Sequence, residues 1–282
     1  MDLLDQLKKN YKIIILLSLS VIVLTALVAV LIPDGTDWTN TYRPATLALL
    51  DGKSPYTVDI FFAAPWTVIP LIPFALLPEH IGRASIFTLG LIIFSFSAIK
   101  LGAKKGALAA FLLSPPVIHC LYNSNIEWIP ILGFILPPQV GLFFVAIKPQ
   151  IGLGIAVFWL IEAWRKGGVR ETARVFGPFT AILLLSFVVF GFWPLRFQDT
   201  LSITEEYNAS FWPLGIPLGI LLIVKAIRSR KPNPAMAASP FFSPYVLLHA
   251  YSGALVSLAP STIEMAAVST GLWIAVLIRA FA

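Results

Sequence analysis

The chain has 282 residues, 58% of them hydrophobic and 12% charged, with a net charge of +6 and a mean hydropathy of +0.86. That balance excludes a soluble domain of this size and describes an all-α, polytopic membrane protein. Nucleic acid is set aside as a partner, because the basic residues sit between apolar runs and act as topology signals.

The N-terminal stretch MDLLDQLKKNYK precedes a mostly apolar run, 13–33, that is long enough to cross a bilayer. Lysines lead into it and no small-residue cleavage site follows, so it is expected to be a retained anchor that starts in the cytoplasm. Further apolar runs near 84–99, 106–121, 126–137, 139–148, 150–164, 175–194, 210–227, 238–256 and 263–281 bring the expected total to about ten membrane helices. Pro137 and Pro138 separate two of them. The run APWTVIPLIPFALLP, 64–78, carries four prolines and is read as an interfacial or re-entrant segment on the outer side. With that choice 15 of the 20 Lys and Arg are cytoplasmic, and the outer segments keep only Arg43, Lys53, Arg83, Lys148 and Arg196. The chain is then one membrane-embedded domain, 1–282, in which 34–83 form an external loop. The single cysteine, Cys120, cannot form an internal disulfide.

The first loop contains TDWTNTYRPATLALLDGKSPY, with Asp37, Arg43, Asp51 and Lys53 after Asp34 and before Asp59. Tyr42, Ala45 and Leu49 recur at helical spacing, Pro44 suits a first turn and Gly52 a stop, which predicts a short helix on the membrane surface. Asp37 just before it reads either as a helix cap or as a reacting carboxylate. AIKPQ places Lys148 and Gln150 at the end of a short apolar helix, where the lysine either snorkels to the interface or meets an anion. HCLYNSNIEW gathers His119, Tyr122, Asn123, Asn125 and Glu127 in what is either an ordinary polar turn or a set of hydrogen-bonding groups. The expected topology puts Asp37, Asn123, Asn125 and Lys148 on one face, which suits a reaction between a polar acceptor and a lipid-borne phosphate. A later loop, PLRFQDTLSITEEYNASFWPLG, offers Arg196, Asp199, Glu205 and Glu206, and Asn208 opens a glycosylation sequon.

At these residues the chain resembles glycosyltransferase family 87, the polyprenol-phosphate-mannose-dependent mannosyltransferases. DWTNTYRPATLALLDGKSPY followed by APWTVIPLIPFALLP is similar to that family's first external loop, in which an Asp-aromatic pair, a Tyr, a Gly and a Pro-Tyr precede a proline-led apolar helix. LSPPVIHCLYNSNIEW, AIKPQIGL and PFFSPYVLLHAYSGALVSLAP resemble three later segments in the same order, the last with a single His249 where a histidine pair is more typical. The resemblance implies a GT-C membrane fold with its site on the external face. Asp37 would be the catalytic base of an inverting transfer, and Lys148 would hold the lipid-phosphate leaving group. Tyr42, Arg43, Asn123, Asn125, Gln150 and His249 would contact the substrates. It further implies a polyprenyl-phosphate sugar as donor, a lipid or glycan as acceptor, and no metal or cofactor. Two other classes stay open: a transporter or flippase for a lipid-linked or anionic substrate, and a catalytically inactive subunit. A transporter is expected to carry ionisable groups at the membrane centre rather than at helix ends.

Overall fold

The computed structural model describes residues 3–33, 35–196 and 205–281, with only the backbone for 3–10 and 205. Asp34 and Asp199 lie outside the described residues. Among those described, every regular element is helical.

Among the described residues, four helices are long and apolar enough to cross a membrane. The first, α1 (Leu3–Leu31), exposes Ile14, Leu16, Leu17, Ile22 and Val30, as a helix surrounded by lipid does. After α2 (Arg43–Leu50) in the first loop, α3 (Glu79–Lys100) packs on α1 through Thr25 Oγ1, which donates to Thr88 Oγ1 at 3.1 Å. Arg83 of α3 is buried and donates from Nη2 to the carbonyls of Val28 (3.2 Å) and Ile32 (2.7 Å) at the end of α1, the Val28 carbonyl also accepting from the Ile32 N–H. The other two long helices are Pro149–Phe190 and Thr262–Phe281.

Prolines decide how the remaining runs fold. The run expected at 106–121 forms α4 (Lys105–Leu112) and α5 (Pro115–Tyr122), bent by 54° at Ser114, which Pro115 holds extended. The two runs expected on either side of Pro137 are indeed separate, as α6 (Trp128–Gly133) and α7 (Pro138–Val145). The segment 64–78 is a 3₁₀ turn, Pro65–Leu71, and a single α turn, Ile72–Ala75, rather than a regular span. The run at 238–256 is not one helix: short turns end at Phe242, 243–247 carry no helix, and a new start follows at Leu248.

The element α8 (Pro149–Phe190) has 42 residues. Straight, it would measure about 63 Å, twice the hydrocarbon core of a bilayer. Gly167 and Gly168 leave helical geometry, and Gly168 adopts a φ of +57° that favours glycine. Both ends return to the first loop, with Lys148 Nζ 5.8 Å from the Tyr42 ring and the Phe190 ring 6.3 Å from that of Tyr56. The element is therefore two arms joined at the glycines, matching the two runs expected at 150–164 and 175–194. The chain continues through α9 (Ile216–Ser229), α10 (Asn233–Ala238) and α11 (Tyr251–Val256) to α12 (Thr262–Phe281), which packs on α4 through Ser269 and Trp273.

The first arm of α8 lies so close to α10 that a Cβ on Gly154 would run into the Ala235 carbonyl, while one on Gly177 would meet nothing. Gly154→Ala is expected to cost about 1–3 kcal/mol and lower the thermal midpoint in detergent. Gly177→Ala is expected to leave stability unchanged or raise it by up to about 1 kcal/mol, with a midpoint that does not fall.

Candidate functional site

Five separate segments converge on one polar cluster. The first begins where α1 ends. Trp38–Tyr42 form a π-helical turn leading into α2, and its extra residue per turn brings Asp37, Thr41 and Tyr42 to the same cavity. Trp38 is fully buried beside them, and its backbone N–H donates to the Asn123 carbonyl at 3.4 Å.

Asp37 does not act as a helix cap: it has helical dihedrals and its side chain makes no capping bond. Its carboxylate accepts a hydrogen bond from Asn125 Nδ2 at 2.7 Å instead. Asn125 is itself locked, because Oδ1 accepts from Lys148 Nζ (2.6 Å), Tyr42 O–H (3.1 Å) and the Ile126 N–H (2.6 Å). Only donors face that oxygen, and the amide group faces Asp37 and His249 Nε2 (3.2 Å), so the orientation of the amide follows from the network. With Nε2 accepting, the His249 proton sits on Nδ1.

Behind Asn125 stands Glu127, with no exposed surface. Lys148 Nζ donates to its Oε1 at 2.5 Å, and His249 Nδ1 lies 2.6 Å from the same oxygen, a close but poorly aligned contact. Cys120 Sγ is 3.6 Å from the other carboxylate oxygen. Lys148 is 7% exposed and His249 2%, so neither side chain is met by bulk water. The anion that Lys148 needs is Glu127, 21 residues away in sequence. Counting Asp37, Glu127 and Lys148 as ionised leaves the cluster at one negative charge with His249 neutral and at zero with it protonated.

Burial, followed by the nearby Glu127 and Asp37 charges, raises the Tyr42 phenol well above its ordinary value of 10.0. Tyr42 therefore remains a neutral hydrogen-bond donor, and the Lys148 ammonium lies over its ring. The cavity in front of the cluster holds about 90 Å³ and adds apolar walls from Ile60, Phe62 and Leu247, with Gln150 and Tyr245 at its edge.

Of the residues expected from the sequence, Asp37, Tyr42, Asn125, Lys148, Gln150 and His249 meet at this cavity. Two do not. Arg43 turns to Glu79 at 3.8 Å on the surface. Asn123 folds back on the His119 carbonyl at 2.9 Å and contributes its own backbone to the loop. Glu127, which carried no role in the sequence reading, is the residue that ties the cluster together. His119 adds a second imidazole stacked on His249, with centroids 5.4 Å apart and planes at 25°. Asn208 does not present a free amide: its Nδ2 donates to the Pro244 carbonyl and its Oδ1 accepts from the Val246 N–H, which fixes the segment carrying Tyr245. Among the described residues no group of three or more His, Cys, Asp or Glu is placed to hold a metal ion.

Removing one partner of a buried ion pair leaves the other uncompensated. Glu127→Gln is expected to destabilise the protein by about 3–5 kcal/mol in a detergent unfolding assay, and Glu127→Gln with Lys148→Met is expected to recover most of that loss.

The chain matches no family model, no curated protein and no solved structure.

Proposed function

We propose that the chain is a membrane glycosyltransferase that moves a hexose, mannose in the first instance, from a polyprenyl-phosphate donor to a lipid or glycan acceptor. In this reading the fold is GT-C-like with about ten membrane helices, counting the short proline-bounded ones, and the Asp37 cavity opens on the external face. The observation that carries it is the division of labour between two carboxylates. Glu127 is wholly buried and committed to Lys148 and His249, whereas Asp37 is half-buried, faces the cavity and accepts only one hydrogen bond from the described residues.

The chemistry assigns each group a step. The acceptor oxygen attacks the anomeric carbon from the side opposite the phosphate, and its proton passes to Asp37. The bond from the anomeric carbon to the phosphate oxygen breaks, and its electron pair leaves with the polyprenyl phosphate, so the configuration inverts. Lys148 has spent two of its three protons on Asn125 and Glu127, and the third is left for the phosphate oxygen. A cavity of about 90 Å³ is well below the roughly 300–1,000 Å³ of ordinary ligand sites. Donor binding therefore requires the 60–63 and 245–247 walls to part, with the polyprenyl tail leaving over Ile60 and Phe62.

The test is transfer from radiolabelled polyprenyl-phosphate mannose into membrane extracts, at matched protein levels. Asp37→Asn is expected to lose roughly 10²–10⁴-fold in transfer while Asp34→Asn and Arg43→Gln keep most of it. Transfer that survives Asp37→Asn, or its absence in the unaltered protein with every polyprenyl-phosphate hexose offered, overturns the reading. In the second case a cavity at helix ends built around buried charge is left for a transporter or an inactive subunit.

A further inference from the structure

A second cavity among the described residues is larger than the one beside Asp37. It holds about 530 Å³, inside the usual range of ligand sites, and lies where the two arms of α8 meet at Gly167 and Gly168. From Lys148 to that turn the first arm runs about 27 Å, close to the thickness of the hydrocarbon core. The two cavities therefore sit at opposite ends of the bundle, and this one lies at an interface.

Its walls divide by chemistry. Trp159, Ala163 and Val175, all buried, line the side toward the apolar arms. Arg165, Lys166 and Arg230 stand at the polar side with Glu162 and Glu171, an excess of one positive charge. Arg165 is committed, donating to Glu162 at 3.1 Å and to the Ile227 carbonyl at 3.1 Å. Glu171 is shared between Lys166 (3.4 Å) and Arg174 (3.5 Å), so it neutralises neither fully. Arg230 makes no ion pair with a described residue. It also holds a left-handed backbone (φ +52°) at the end of α9, a position that favours glycine, which aims an uncommitted guanidinium at the cavity rim.

We propose that this cavity binds an amphiphilic anion, with a phosphate-bearing head on Arg230 and Lys166 and an apolar tail along Trp159 and Val175. A guanidinium pairs with phosphate oxygens in a two-pronged geometry, and a basic cavity between membrane helices is a site where a lipid headgroup can be bound while its chain stays in the bilayer. The site uses none of the groups around Asp37 and stands whether or not sugar transfer occurs there.

The experiment is native mass spectrometry of the full chain in detergent, titrated with phosphatidylglycerol, with phosphatidylcholine and with inorganic phosphate. Phosphatidylglycerol is expected to be retained in preference to phosphatidylcholine, and inorganic phosphate at equal concentration not to displace it. Lys166→Ala with Arg230→Ala is expected to weaken that retention roughly 10- to 30-fold. Arg170→Ala with Arg228→Ala, which removes the same charge outside the cavity, is expected to leave it unchanged. Both pairs are exposed, and Arg230→Gln alone, with its thermal midpoint checked, provides a milder variant. Equal retention of the two lipids, equal loss in the control pair, or displacement by inorganic phosphate overturns the proposal.

Discussion

A carboxylate with no exposed surface is tolerable only where positive charge and donors surround it, and Glu127 imposes that requirement on the whole polar cluster. Its demand fixes Lys148 at the start of α8 and His249 at the end of an unwound segment. Those two in turn fix Asn125, and Asn125 fixes Asp37. The residue that faces the cavity is thus held in place by one that does not touch it. Because Glu127 stands just before α6 and Lys148 just before α8, their pairing also ties the turn between α7 and α8 to the turn before α6.

The breaks that prolines introduce are what make such a cluster possible. A bundle of full-length spans would place its polar ends at the two interfaces only. Here the helix ends at Tyr122 and Val145, each three residues before Asn125 or Lys148, and the unwound 243–247 deliver free backbone to a common point. The 243–247 segment, read in the sequence as part of one span, is the clearest case: Pro240 and Pro244 withhold amide donors there, and the extended chain that results carries Tyr245 to the cavity.

Much of this was legible beforehand because it is local. Helical spacing of Tyr42, Ala45 and Leu49 and the stop at Gly52 announce α2, and the apolar runs separated by Arg165, Lys166 and Arg170 announce two arms in α8. The site residues could be grouped because charge in an apolar chain is rare and each instance stands out. What escaped is non-local. Nothing around Glu127 shows that its partner lies 21 residues on, and nothing around Arg43 shows that Glu79 will claim it. Asp37 looked like a cap because it precedes a helix. A π turn, which sequence does not announce, carries the helix past it and turns the carboxylate toward Asn125.

Arg83 has a mechanical consequence. It grips the last carbonyls of α1, and Thr88 touches the helix one turn earlier, but from Tyr11 to Val23 the surface of α1 is exposed all round. The helix is clamped at one end like a cantilever. A lateral push on its exposed half is therefore resisted first at Val28 and Ile32, ahead of Gly35, which lies so close to the Asn123 carbonyl that a side chain there would collide with it. The clamp thus stands between the exposed length of α1 and Asp37, two residues beyond Gly35.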